Sequence, residues 1–156
     1  TAKIALGIGM NVLAYDKFLK ETKITLNFMG GNSIDFEIKI SPLDELLKKS
    51  DFISLHVPAQ NQYVIDKKEF ELMKNGVGIV NAARGGVINE LELVSALESG
   101  KVSFAGLDTF ENEPTPEIKL LMHPNISLTP HIGAATNEAQ DRIGKELADQ
   151  ISNILK

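Results

Sequence analysis

The amino-acid sequence predicts an α/β fold with a doubly wound parallel sheet, and two observations support this prediction. Short, almost wholly apolar segments alternate with segments of helical periodicity, as they do in consecutive β-α-β units. Three of these apolar segments lie within residues 76–130, and each leads into a polar residue, Arg84, Asp108 or His131. The ligand crevice of an open α/β sheet lies beyond the carboxyl ends of its strands. We therefore expect these three side chains to face one cleft, together with Glu113, which follows the second of the strands.

Length and composition are those of one globular domain. The 156 residues are 43% hydrophobic and 24% charged, which is enough to form a buried core. A net charge of −5 provides no broad basic surface, so we do not expect nucleic acid as a partner. The chain has no cysteine, which excludes disulfides and thiolate metal sites, and we expect no metal. No apolar run approaches the roughly 20 residues of a membrane span and no signal peptide is evident, so we expect a cytoplasmic protein without a membrane partner.

The two glycines near the amino terminus are interpreted as the end of a helix. A dinucleotide-binding loop follows a strand, opens a helix and precedes its acid by about 20 residues. Here a β-like run at residues 12–15 follows Gly7 and Gly9 at once and ends at Asp16. Glycines at that place are typical of a left-handed helix cap. We therefore expect the first strand of the sheet and its glycine-rich loop to lie upstream of residues 1–156.

Residues 17–40 are predicted to form a connection followed by an edge strand. Residues 17–33 are mostly polar, and the glycines and asparagine at 29–32 indicate a turn. Residues 34–40 alternate apolar and charged side chains, which is the pattern of a half-exposed strand.

Helices and strands alternate from residue 41 onward. Residues 41–44 contain the Ser-Pro start of a helix, and residues 51–57 are nearly all apolar, as in a parallel strand covered on both faces. Asp66, Asn89 and Thr136 are each predicted to begin a further helix, the last one reaching residue 155. The predicted strands lie near residues 11–15, 34–40, 51–57, 77–81, 103–108 and 126–129.

Five short motifs occur in a fixed order along the chain. They are LAYD at residues 13–16, HVP at 56–58, NAARG at 81–85, GLDTFENEP at 106–114 and TPHIG at 129–133. In sequence and spacing they resemble the D-isomer-specific 2-hydroxyacid dehydrogenase family, and specifically the second part of its NAD-binding domain. Residues 133–140 are most similar to its 3-phosphoglycerate dehydrogenase branch.

The resemblance implies a Rossmann-type NAD-binding domain that lacks its first strand and glycine-rich loop. Residues 1–156 would be a partial NAD-binding domain, with the substrate domain outside this chain. The implied function is hydride transfer between NAD and a D-2-hydroxy acid, most similar to the oxidation of 3-phosphoglycerate in serine biosynthesis. The resemblance also implies a homodimer or a higher homo-oligomer.

Three residues provide the groups that oxidation of a 2-hydroxy acid requires. His131 is the natural base for the hydroxyl proton, because imidazole titrates near neutral pH. Glu113 would hold the tautomer of His131 and stabilise the imidazolium that forms. Arg84 presents a planar, always charged fork that matches a substrate carboxylate. The resemblance assigns the same catalytic roles to these three residues.

The resemblance also implies a set of cofactor-binding residues. Asp16 would accept hydrogen bonds from the ribose hydroxyls of the adenosine half of NAD. Val57 and Pro58 would pack beside the adenine, and Asp108 would lie near the nicotinamide carboxamide. The remaining expected contacts of NAD are Ala82, Ala83, Arg84, His131, Gly133 and Ala134.

Several alternatives remain open at this point. The substrate could be glyoxylate, hydroxypyruvate or another 2-hydroxy or 2-oxo acid. The chain could belong to a non-enzymatic, NAD-sensing corepressor of the same superfamily, or it could be a fragment that binds nothing by itself. Taken singly, Arg84 could be a surface ion-pair partner, Glu113 a solvated loop acid and His131 a structural residue. Formate dehydrogenase is disfavoured because it has glutamine in the place of Glu113.

Overall fold

The computed structural model describes residues 1–155. The chain forms two compact units. One consists of residues 1–50 and 72–74, and the other consists of residues 51–71 and the chain from residue 75 onward. None of the described helices combines the length and the apolar character that crossing a bilayer requires.

The first unit begins with a short helix, α1 (Ala2–Gly7), and the predicted glycine cap at its end is confirmed. Gly9 has a φ of +84°, and its N–H donates to the carbonyl of Leu6. The N–H of Met10 donates to the carbonyl of Ala5. These two bonds form a Schellman motif, in which a glycine in the left-handed conformation satisfies the last carbonyls of a helix.

The prediction of a strand at residues 11–15 is wrong. Only Ala14 takes part in a β-bridge, a parallel one with Ile40. The prediction that residues 17–33 form a connection is also wrong, because they contain a strand, β1 (Glu21–Asn27). Strand β1 pairs antiparallel with β2 (Ser33–Lys39) and not within the parallel sheet. The predicted turn between them is confirmed by Gly30 and Gly31, which have φ angles of +91° and +83°.

Cross-strand pairs explain why this polar segment forms a hairpin. Ile24 lies opposite Phe36 and Leu26 lies opposite Ile34, so β1 provides an apolar partner for the apolar face of β2. On the other face, Lys23 forms an ion pair with Asp35 at 2.6 Å. Helix α2 (Leu43–Lys49) is the last regular element within residues 1–50.

The second unit contains a four-stranded parallel sheet, which confirms the predicted fold class. Its strands are β3 (Phe52–Leu55), β4 (Val77–Asn81), β5 (Val102–Leu107) and β6 (Ile126–Leu128), hydrogen-bonded in that order. The helices between and after them are α3 (Lys67–Leu72), α4 (Glu90–Glu98), α5 (Ile118–Leu121) and α6 (Asn137–Ile154).

One face of this sheet is buried and the other is open. Ile53, Ile79 and Ala105 are at most 5% exposed, and α4 packs beside β5. On the opposite face, Phe52 and Phe104 are 58% and 43% exposed. The prediction that the segment 51–57 is covered on both faces is therefore wrong within the described structure, and only residues 52–55 are strand.

Two of the predicted helix starts are capped by their own side chains. The Asn89 side chain accepts hydrogen bonds from the N–H groups of Leu91 and Glu92 at the start of α4. The Thr136 side chain accepts from the N–H of Ala139 at the start of α6. These caps set where the two helices begin, and with them the lengths of the loops that follow β4 and β6.

Candidate active site

His131 and Glu113 meet in the loops that follow β6 and β5. The Nδ1 atom of His131 lies 2.8 Å from Oε2 of Glu113. The other carboxylate oxygen of Glu113 accepts a hydrogen bond from the N–H of Phe110 at 2.9 Å. The bond from His131, followed by that from Phe110, holds the pKa of Glu113 below its ordinary value. With Nδ1–H donating to the carboxylate, Nε2 is the nitrogen left to exchange a proton with a substrate.

The backbone at His131 adopts a conformation that is rare for a residue with a side chain. Its φ is +54°, in the left-handed region. Such residues persist where their surroundings hold them, and they cluster at functional sites. In this loop, the neighbouring N–H groups at positions 132 and 133 are held by one carboxylate, that of Asp108.

Asp108 holds the turn that carries His131. Its oxygens accept hydrogen bonds from the N–H groups of Ile132 and Gly133, both at 2.8 Å, and from the hydroxyl of Thr129. Burial acts to raise the pKa of Asp108, but these three hydrogen bonds, together with the nearby His131, hold the pKa below the ordinary value. Asp108 is 7% exposed, so its carboxylate is engaged mainly with the chain itself. Its expected contact with the nicotinamide stays a prediction.

The turn that carries Arg84 is organised by Asn81, a residue whose role sequence reasoning missed. The Asn81 side chain donates to the carbonyl of Arg84 at 2.9 Å and accepts from the N–H of Ala83 at 3.1 Å. An asparagine at the end of a buried strand, just before a turn, is the signal that could have identified it. Arg84 itself is exposed, and its Nη1 donates to the carbonyl of Ala83 at 2.7 Å.

Gly85 brings the Arg84 turn against the end of β5. A Cβ atom built on Gly85 would lie 1.8 Å from the carbonyl oxygen of Phe110, so only glycine fits at this position. Phe110 is also the residue whose N–H binds Glu113. The loop after β4 and the loop after β5 are therefore in direct contact beside the His131–Glu113 pair.

The other expected NAD contacts in this unit are small and accessible. Pro58, Ala82 and Ala134 are exposed, and Val57 and Ala83 are half-buried. Gly133 is exposed too, and a Cβ atom there would lie 2.9 Å from Oδ2 of Asp108. Small residues at the carboxyl ends of parallel strands let a dinucleotide approach the backbone closely. These residues therefore fit the NAD that the resemblance implies.

Asp16 belongs to the first unit and lies in a turn there. Its Oδ1 accepts from the N–H groups of Phe18 at 2.7 Å and Leu19 at 3.0 Å. These bonds, in that order, lower the pKa of Asp16. The expected contact of Asp16 with the ribose of NAD stays a prediction. Within residues 1–155, no strand, glycine-rich loop and helix follow one another in the way that a pyrophosphate site needs.

Known proteins of one family are similar to this chain in sequence. The family described as D-isomer specific 2-hydroxyacid dehydrogenase, NAD binding domain, matches residues 1–133. A hydroxypyruvate reductase from Thermotoga maritima is 48% identical over 155 residues, covering 96% of this chain and 47% of that protein. A D-3-phosphoglycerate dehydrogenase from Archaeoglobus fulgidus is 42% identical over 158 residues, covering 99% of this chain and 28% of that protein.

Solved structures show the same relationship. The crystal structure of D-lactate dehydrogenase from Aquifex aeolicus, complexed with NAD and lactic acid, superposes with a TM-score of 0.73. Its sequence is 32% identical, and the match covers 99% of this chain and 49% of that one. The parallel sheet and the site at its carboxyl edge define an NAD-binding domain of a dehydrogenase. The chain belongs to the D-isomer-specific 2-hydroxyacid dehydrogenase family and spans half or less of the length of these relatives.

Proposed function

We propose that this chain carries the cofactor-binding and proton-transfer residues of an NAD-dependent D-2-hydroxyacid dehydrogenase. The observation that carries the proposal is the 2.8 Å contact between His131 and Glu113, beside the loop that bears Arg84. A neutral imidazole with one nitrogen bound to a carboxylate and the other free is the arrangement that general acid–base catalysis requires.

The roles of the side chains follow from the chemistry of the reaction. NAD, when bound, accepts the hydride from C2 of the hydroxy acid. His131 takes the hydroxyl proton on Nε2 as the C2–O bond becomes a carbonyl, and Glu113 stabilises the resulting imidazolium. In the reverse direction His131 returns that proton to the oxygen of the 2-oxo acid. Arg84 binds the substrate carboxylate through two parallel hydrogen bonds and so orients C2.

We also propose that residues 1–156 form part of an NAD-binding domain whose substrate domain is provided by other residues of the whole protein. Support comes from the two relatives named above, because the match to this chain covers only 47% and 28% of their lengths. It also comes from β3, which forms one edge of the parallel sheet and has Phe52 exposed on its open face. Parallel sheets are normally covered on both faces.

For the substrate, we propose 3-phosphoglycerate, with glycerate and hydroxypyruvate as the second candidate pair. The first is supported by the residues that follow His131 and by relatives such as the Archaeoglobus fulgidus enzyme. The second is supported by the higher identity, 48%, to the Thermotoga maritima hydroxypyruvate reductase. 3-Phosphoglycerate and glycerate share a three-carbon 2-hydroxy acid skeleton and differ in the phosphate.

A substrate panel tests the proposal. The whole protein is assayed with NAD and with 3-phosphoglycerate, D-glycerate, D-lactate and their L-isomers, and in reverse with hydroxypyruvate and glyoxylate. We expect turnover of D-isomers with NAD, and the highest kcat/KM for 3-phosphoglycerate. Turnover of L-isomers alone would contradict the proposal, and NAD binding without turnover of any acid would favour a corepressor-like, non-enzymatic protein.

The homo-oligomeric state and the cytoplasmic location also belong to this proposal. Exposed apolar residues on α6, namely Ile143, Leu147 and Ile151, offer a surface that an assembled protein would cover. Sedimentation velocity of the whole protein tests the first point, and cell fractionation tests the second.

A further inference from the structure

Glu90 is an acidic residue buried beside the active-site loops, and the mechanism above does not use it. It is the first residue of α4 and is only 6% exposed. Burial raises its pKa, the N–H of Glu111 opposes this, and the carboxylates of Glu111, Glu117 and Glu113 raise the pKa further. Burying a carboxylate among other carboxylates is unfavourable unless a specific hydrogen bond compensates for it. The start of α4 already has the Asn89 cap, so helix capping does not explain Glu90.

Glu90 and Glu111 form a reciprocal clamp between two loops. Oε1 of Glu90 accepts from the N–H of Glu111 at 2.7 Å, and Oε1 of Glu111 accepts from the N–H of Glu90 at 2.9 Å. Oε2 of Glu111 also accepts from the hydroxyl of Tyr63 at 3.1 Å. The clamp thus joins the segments that follow β3, β4 and β5, which lie far apart in sequence.

The clamp is continuous with the proton-transfer pair. The peptide that Glu90 holds joins Phe110 to Glu111, and the N–H of Phe110 donates to Oε1 of Glu113. The remaining oxygen of Glu113 binds His131. Any displacement of the peptide at residue 111 would therefore move the carboxylate that orients the imidazole.

We propose that Glu90 is a positioning residue for proton transfer, which acts by fixing residues 110–113 so that Glu113 stays aligned with His131. This inference rests on the proposed function, because proton transfer by His131 is part of it. The effect depends on the hydrogen-bond acceptor and not on the charge. Glu90→Gln retains an acceptor oxygen of the same reach and should behave like wild type, whereas Glu90→Ala should not.

The experiment combines kinetics with a direct measurement on the imidazole. In the whole protein, Glu90→Ala should lower kcat by about ten- to a hundredfold, the scale of a misplaced catalytic group. KM for NAD should not change, and the pH–rate profile of Glu90→Ala should differ from wild type in the same way as that of Glu113→Gln. Glu98→Ala is the matched control, because Glu98 is an exposed acid on the same helix. Adding Glu90→Ala to Glu113→Gln should lower kcat little further than Glu113→Gln alone, because Glu90 acts through Glu113.

Nuclear magnetic resonance of the ring nitrogens of His131 separates this inference from the proposed function. Titration of the imidazole in Glu90→Ala should differ from wild type, and Glu90→Gln should match wild type. Identical titrations in wild type and Glu90→Ala would overturn the positioning role, as would independent effects of the two substitutions. A wild-type protein that oxidises no hydroxy acid would refute the proposed function instead. Where Glu90→Ala does not fold, Glu90→Asp replaces it, because its side chain is one methylene too short for the clamp.

Discussion

The contact between the Arg84 turn and the end of β5 makes Gly85→Ala a stringent test of the site. A Cβ atom at position 85 would lie 1.8 Å from the carbonyl oxygen of Phe110, whereas such atoms essentially never approach closer than 3.0 Å. The two backbone segments must therefore separate by about 1.2 Å. Neither can rotate away as a flexible side chain would, because the obstructing atoms belong to the backbone.

The expected consequences follow from the groups on either side of this contact. Arg84 precedes Gly85, and the N–H of Phe110 binds Glu113, so the separation moves Arg84 away from the proposed proton-transfer pair, His131 and Glu113. A displacement of about 1 Å in a catalytic group costs on the order of 10²-fold in rate. Overpacking of this kind also destabilises the fold by about 1–3 kcal/mol.

The assay is steady-state kinetics of the whole protein combined with thermal unfolding. Gly7→Ala is the matched control, because a Cβ atom there would meet nothing within 4 Å and Gly7 lies in helix α1, outside the parallel sheet. We expect Gly85→Ala to lose about 10²-fold in kcat/KM and Gly7→Ala to retain most of the activity. If Gly85→Ala had the kinetics and the melting temperature of wild type, the described packing of the two loops would be wrong.

The other predictions concern four side chains of the candidate site. Glu113→Gln should lower turnover, because the hydrogen bond from His131 that lowers the pKa of Glu113 loses its carboxylate acceptor and no longer fixes the imidazole ring; kcat measured across pH checks this. The pKa of Asp108 is lowered in the folded protein, so its carboxylate stabilises the fold at pH values above its unfolded pKa of about 3.9. This contribution is lost as the pH falls through the folded-state pKa. In the acid range, the free energy of unfolding should therefore fall less steeply with decreasing pH in Asp108→Asn than in wild type. Arg84→Lys should damage both KM and kcat for the hydroxy acid, since a point charge cannot replace a two-pronged contact. Asp16→Ser should raise the kcat/KM with NADP relative to NAD, whereas a wild type equally efficient with both cofactors would contradict the role of Asp16.

Much of the second unit was predictable because its signals are local. The predicted strands at 77–81, 103–108 and 126–129 agree with β4, β5 and β6 to within one residue at each end. The helix caps at Asn89 and Thr136 were predictable for the same reason, since a cap depends on side chains within three residues of the helix start. The residues of the candidate site could be named because they follow these strands in recognisable motifs.

The first unit was harder to predict because a strand depends on its partner. Residues 12–15 are β-like in composition, yet only Ala14 finds a bridge partner. The polar segment at 21–27 becomes a strand because Phe36 and Ile34 offer apolar cross-strand neighbours. Pairing of this kind is a property of two segments together, and the composition of either one alone does not reveal it.

By itself, the amino-acid sequence determined the parallel α/β fold, the order of the site residues and the family. Only the tertiary structure decided how those residues are held. Asp108 binds the turn of His131 across more than 20 residues of sequence, and Glu90 and Glu111 bind each other's backbone across 21 residues. No local pattern encodes these contacts, because each depends on where parallel strands end relative to one another. The strand register brings such loops together, and buried carboxylates then fix them through the backbone N–H groups they accept from.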